Sequence, residues 1–106
     1  MRLMKDLEFD AMNDAAEEAA AFLKAMSNPG RLRLLCALVP DRKTVGELEE
    51  ALGATQAYVS GQLKRLREQG FVACEREGRV VRYEISDSRV KLVLERVHDV
   101  FCADAS

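Results

Sequence analysis

The stretch from Thr44 to Ile85 constrains this chain more than any other, because its local signals fall in a fixed order. Thr44 followed three residues later by Glu47 is a capping box, and Val45, Leu48 and Leu52 form the apolar face of a short helix that stops at Gly53. Thr55 can cap a second helix running to about Gln69, with Val59, Leu63 and Leu66 inward. Its remaining positions are polar or basic: Gln56, Tyr58, Ser60, Gln62, Lys64, Arg65 and Arg67. Gly70 closes that helix, and the apolar period changes from 3.6 to 2. Val81, Tyr83 and Ile85 alternate with Val80, Arg82 and Glu84, opposite Phe71 to Arg76, with Gly78 at the bend.

A capped helix, a tight turn, a polar helix and an arginine-tipped hairpin make a winged helix-turn-helix. The first helix packs crosswise and presents the second to the major groove, where base edges are distinguishable. Double-stranded DNA is therefore the expected partner. The side chains expected to meet it are Thr55, Gln56, Tyr58, Ser60, Gln62, Lys64 and Arg65, with Arg76, Arg79 and Arg82 on the hairpin reaching flanking phosphate or minor groove. Taken singly, each is as compatible with a solvated surface, and Arg79 and Arg82 with salt bridges to Glu75 or Glu77. The order of the elements favours DNA.

Around this motif, residues 8 to about 26 read as an alanine-rich helix with Phe9, Met12, Ala16, Ala19, Ala20, Leu23 and Met26 at spacings of three and four. Pro29 suits the first turn of a second helix, apolar on most sides through Leu32, Leu34, Leu35, Cys36, Leu38 and Val39 and therefore expected at the centre. Ser86 or Asp87 can cap a last helix with Val90, Val93, Leu94, Val97 and Phe101 on one face. The expected fold is mainly α with a small β-hairpin, five helices in all. It forms one domain over residues 1–106: helix-turn-helix 44–69, wing 71–85, and amphipathic terminal segments 1–28 and 87–106 for dimerisation. At 106 residues with 48% hydrophobic content, the chain has room for one small core, which pairing with a second copy would complete.

The formal net charge of −2 hides an uneven distribution. Residues 1–28 carry three basic and six acidic side chains, whereas residues 55–83 carry six basic and three acidic, so the local sign suits a phosphate backbone. No apolar run of about 18 residues is present to span a membrane and Met1 to Leu7 lacks a signal-peptide core, so the expected location is cytoplasmic. In a reducing compartment three cysteines do not make a disulfide framework. Without a C-x-x-C or a Cys/His cluster, any role for them is metal binding or reversible redox chemistry.

Four blocks carry a resemblance: Leu23-Lys24-Ala25-Met26-Ser27-Asn28-Pro29-Gly30-Arg31-Leu32-Arg33-Leu34-Leu35, Val45-Gly46-Glu47-Leu48, Gln56-Ala57-Tyr58-Val59-Ser60-Gly61-Gln62-Leu63 and Gly70-Phe71-Val72. Together they resemble the ArsR/SmtB family of dimeric winged-helix repressors over nearly the whole chain, from Phe22 to Cys102. The resemblance implies a homodimer built from the first and last helices, binding an inverted repeat in operator DNA and leaving it when an inducer is sensed. Where Gln62 stands, the family commonly has histidine.

Metal-sensing members of the family carry a Cys-x-Cys type motif in the first helix of the DNA motif, which here has no cysteine. Others use an Asp/His set along the last helix. Asp87 and His98 match it in part, but Arg89 and Phe101 stand at two ligand positions. No metal or other cofactor is therefore expected. The contexts of Cys36 (Leu34-Leu35-Cys36-Ala37-Leu38) and Cys102 (Val100-Phe101-Cys102-Ala103) resemble the SqrR/BigR branch, whose members sense persulfide or related oxidants by joining two such cysteines.

Position alone makes Cys36 core filler, since free cysteine is among the most buried residue types. The matched pair of contexts turns the expectation to a thiol switch at Cys36 and Cys102, with a reactive sulfur species or oxidant as inducer. Which thiol attacks first stays open: His98, one turn before Cys102, favours its thiolate, while the helix C-terminus disfavours an anion. Cys74 is assigned no part. The alternatives are a metal-responsive repressor using Cys36, Cys102 and His98, a thiol redox enzyme, which no cofactor loop or C-x-x-C supports, and a winged-helix module for protein contacts alone.

Overall fold

A computed structural model describes residues 6–102, so the outer ends of both expected dimerisation segments lie outside the described residues. The order is α1 Asp6–Met26, α2 Pro29–Leu38, α3 Val45–Leu52, α4 Gln56–Glu68, β1 Val72–Glu77, β2 Val80–Ile85 and α5 Ser88–Cys102. Five helices and an antiparallel hairpin in winged helix-turn-helix order are what the sequence predicts, with α1 starting two residues earlier than its apolar period.

Local chemistry sets the boundaries. Asn28 caps α2 by accepting from the Arg31 amide, and Pro29 occupies the first turn, where no donor is needed. The capping box of α3 is complete: the Glu47 amide donates to Thr44 Oγ1 and the Thr44 amide to Glu47 Oε1, at 3.1 and 2.9 Å. Gly53, at φ 61°, ends α3 in the left-handed conformation that glycine adopts without steric cost. Thr55 caps α4 by accepting from the Tyr58 amide. In the hairpin, Val72 stands opposite Ile85 and Glu77 opposite Val80, and Gly78 turns the chain at φ 64°.

The core lies where α2, α3 and α4 meet the base of the wing and the first half of α5. Leu34, Leu35, Leu48, Val59, Leu63, Leu66 and Val90 are essentially sealed from solvent, with Met26, Leu38, Phe71, Val72 and Leu94 around them. Phe22 of α1 meets Phe71 in a tilted ring pair, centroids 5.1 Å apart.

The apolar stripe of α1, expected to serve dimerisation, is left largely open by its own chain: Phe9 is 61% exposed and Leu23 53%, and of that stripe Met26 alone is buried. One expectation is corrected: α2, read as apolar on most sides, buries a single side. Cys36 is exposed, because Leu34, Leu35 and Leu38 point to the core from the opposite side of the helix. The hairpin also gains an edge: Lys43 and Tyr83 exchange both backbone hydrogen bonds, at 3.0 and 2.8 Å, which binds the α2–α3 connection to β2.

Candidate nucleic-acid interface and thiol groove

With Val59, Leu63 and Leu66 anchoring its inner side, α4 holds Gln56, Tyr58, Ser60, Lys64, Arg65 and Arg67 exposed, and Thr55 exposed at its N-cap. Gln62 differs from these. It is half-buried, and its Oε1 is shielded from solvent with no hydrogen-bond partner among the described residues. Tyr58 has a second contact besides solvent, because its hydroxyl occupies the space where a Cβ on residue 30 would stand. Gly30 thus permits the close approach of α4 to the start of α2.

The wing separates its arginines into two kinds. Arg76 and Arg79 are exposed and make no ion pair among the described residues, so both remain available to a phosphate. Arg82 is held instead by Glu47 of α3 at 3.5 Å. The acidic residues expected opposite the wing arginines, Glu75 and Glu77, are met by Arg42, at 3.2 and 3.7 Å. Glu47 accepts the Thr44 amide as well as lying near Arg82; the Thr44 bonds chiefly, and the nearby Arg82 and Lys43 charges secondarily, hold its carboxyl below the usual range. Sequence reasoning missed Arg42 and Lys43. The periodicity of residues 40–44 is too short to announce a strand edge.

On the other side of the molecule, Cys36 lies on a groove of about 500 Å³ between α2 and α5, with Val39, Pro40, Leu92 and His98. Cys102 ends α5 half-buried. Both are free thiols, and they are near enough to interact electrostatically. Partial removal from water pushes the Cys36 thiol above its ordinary value, and the negative charge of a Cys102 thiolate adds to that shift. Cys74 is half-buried in β1 opposite Tyr83 and does not line this groove.

The start of α5 is built differently. Arg89 donates to both Asp87 carboxylate oxygens, one of them at 2.8 Å, reaches Glu18 of α1 at 3.1 Å, and lies 4.9 Å over the Phe22 ring. The Arg89 bonds to its side chain, ahead of simple charge attraction, hold the Asp87 carboxyl below its usual range. Asp87 is therefore saturated by a cation of its own chain. Among the described residues, no three His, Cys, Asp or Glu side chains converge as a metal site.

A recognition helix anchored by three sealed apolar residues, beside a wing with free guanidinium groups, defines a winged helix-turn-helix DNA-binding regulator. Residues 28–73 match the family described as bacterial regulatory proteins of the arsR family. The biofilm growth-associated repressor of Agrobacterium fabrum is 36% identical over 98 residues, 92% of this chain and 84% of that protein. The crystal structure of the transcriptional repressor BigR from Xylella fastidiosa superposes with a TM-score of 0.83 at 35% identity, over 88% of this chain and 95% of that one. Reduced HlyU from Vibrio cholerae superposes at 0.79 with 36% identity, over 87% of this chain and 97% of that one; HlyU is described as a transcriptional activator. This chain belongs to the ArsR family, and it is a transcriptional regulator rather than an enzyme. No helix among the described residues is long and apolar enough to cross a membrane.

Proposed function

We propose that this protein is a cytoplasmic homodimeric repressor that binds an inverted repeat in operator DNA and releases it when Cys36 and Cys102 become linked. The observation that carries the reading is an exposed Cys36 on the groove between α2 and α5, with the half-buried Cys102 at the end of that same α5 and close enough for its charge to act on the Cys36 thiol. Thr55, Gln56, Tyr58, Ser60, Gln62, Lys64 and Arg65 form the major-groove face, with Gln62 and Tyr58 also packing the helix. Arg76 and Arg79 grip phosphate, and Arg82 joins them by exchanging Glu47 for the backbone. Dimerisation through α1 and α5 is supported by the apolar side chains both leave in solvent, among them Phe9, Leu23, Leu92, Val100 and Phe101. Repression is supported by the repressors among the relatives; HlyU shows that the family also holds activators.

The chemistry balances without a cofactor. A cysteine thiolate attacks the outer sulfur of a persulfide R–S–SH and expels RS⁻, leaving a protein persulfide. The second thiol attacks the inner sulfur, forming the disulfide and releasing hydrogen sulfide. When both cysteines are first persulfidated, the same step gives a trisulfide and one hydrogen sulfide. Peroxide takes the parallel route through a sulfenic acid, losing hydroxide and then water. Either bridge ties the end of α5, part of the dimer seam, to α2. A hundredfold loss of operator affinity requires only about 2.7 kcal/mol, which one repacked interface can supply.

The test is intact mass and operator affinity on one sample, reduced and then treated with a persulfide donor, with peroxide and zinc in parallel. A Cys36–Cys102 bridge accompanied by DNA release is the expected result. Equal affinity of reduced and bridged protein sinks the thiol reading, and release by zinc alone turns the site into a metal sensor.

A further inference from the structure

The connection between α2 and α3 joins three parts of the molecule through one residue. The backbone of Lys43 pairs both ways with Tyr83 of β2, at 3.0 and 2.8 Å. Its ammonium group donates to the Ala37 carbonyl at 2.7 Å, in a half-buried setting. Ala37 follows Cys36 directly and lies in the last turn of α2, where carbonyls have no helical amide to accept from. A lysine there satisfies an orphan acceptor and meets the negative end of the helix dipole, a charge-assisted bond stronger than a neutral one. On its other side, the Tyr83 side chain shares a surface groove with Ser60, Lys64 and Arg67 of the recognition helix.

The other wing attachments made by side chains are weaker. Arg42 to Glu75 and Arg82 to Glu47 are exposed pairs, and exposed pairs contribute little and are screened by salt. The Lys43 ammonium bond is the shorter and more protected link. It also begins one residue from the thiol whose modification needs to be felt elsewhere.

We infer that Lys43 is a positioning residue that couples the C-terminal turn of α2 to the wing, and through Tyr83 to the recognition helix. A displacement of that turn moves the Ala37 carbonyl, the bonded ammonium follows it, and the backbone pair carries the shift into β2. The regulatory use of this link rests on the thiol switch proposed above; the link itself does not.

The test has two arms. In full-length protein with Cys74→Ser and Cys102→Ser, Cys36 is alkylated with N-ethylmaleimide and the Tyr83 amide is followed by NMR. Alkylation is expected to shift that amide in protein with Lys43 and with Lys43→Arg, which keeps a donor, but not with Lys43→Met. If the Met variant does not fold, Lys43→Gln replaces it, since its shorter side chain does not reach Ala37. An unmoved Tyr83 amide in the parent, or an equal shift in the Met variant, overturns the inference. In the second arm, with all cysteines present, operator affinity is measured for reduced and persulfide-treated protein. The ratio of the two is expected to shrink by about tenfold or more in Lys43→Met, with the same bridge seen by mass. A bridge with undiminished release in Lys43→Met removes the role of Lys43 and leaves the switch standing. Coupling in the first arm with neither bridge nor release in the second keeps Lys43 and discards the switch.

Discussion

Helices α4 and α5 carry similar apolar spacing and meet different fates. In α4, Val59, Leu63 and Leu66 are all sealed within one chain. In α5 only Val90 and Leu94 are buried; Val97 lies at the edge, and Val100 and Phe101 are 73% and 80% exposed. The recognition helix is finished by its own chain, whereas the last helix is apolar beyond what its own chain covers. A helix that must present a rigid face to DNA needs a complete anchor. In the dimer proposed above, the last helix keeps part of its apolar surface for a second copy, and Cys102 of the proposed thiol pair stands at that unfinished end.

This contrast is broken most readily from the α4 side. Leu66→Ala removes a fully buried side chain from between α4 and the rest of the core, and the expected cost is about 2–5 kcal/mol, independent of protein concentration. Urea denaturation at two concentrations checks it. A loss under about 1 kcal/mol would mean that α4 is not anchored as rigidly as its burial implies.

Phe101→Asp is the matching change on α5. Little of Phe101 is covered by its own chain, so folding of the single chain is expected to change little. Burying a phenylalanine contributes about 1.5–3 kcal/mol, so the dimer is expected to weaken by roughly 10- to 100-fold. Sedimentation equilibrium measures it. An unchanged dimer would place the seam elsewhere and leave the exposed end of α5 without a purpose.

Much of the DNA face was legible because its signals are local. Thr44, Glu47, Gly53 and Thr55 act within four residues of themselves, and the structure uses each as its position suggests. The side of α2 on which Cys36 lies was missed although Arg33, one turn earlier on the same face, marks it as the exposed one; the packing of Leu34, Leu35 and Leu38 on the opposite side settles it. In α1 the period is real, but its own chain covers little of the stripe, so the period alone does not tell what the stripe faces. The pairing of Arg82 with Glu47 and of Lys43 with Ala37 joins segments that no periodicity relates. Hydrogen bonds across loops follow from the fold and do not announce it.

The capping box offers a smaller test of how self-sufficient the DNA side is. Thr44→Ala removes the oxygen that accepts the Glu47 amide, and loss of an N-cap costs about 1 kcal/mol. The effect should appear as a lowered urea midpoint with the slope unchanged, since the surface exposed on unfolding is the same. A loss well above that would show that Thr44 supports the Lys43–Tyr83 edge as well as α3.

The smallest expected effect comes from the other half of the box. The Glu47 carboxyl is held below its ordinary value in the folded chain, chiefly by the Thr44 bonds. In the unfolded chain a glutamate titrates near 4.3, so above about pH 5 both states carry the charge and its stabilisation is complete. As pH falls, the unfolded chain takes up the proton first; the stabilisation is then lost progressively as pH falls through the folded value. Glu47→Gln should therefore reduce stability at neutral pH and converge with the parent in acid. Because Glu47 is exposed, the gap is small, and its Arg82 share should narrow further with added salt while the hydrogen-bonded share persists. A gap that instead widens toward acid reverses the sign of the linkage, and would mean that Glu47 is not the carboxylate the cap depends on.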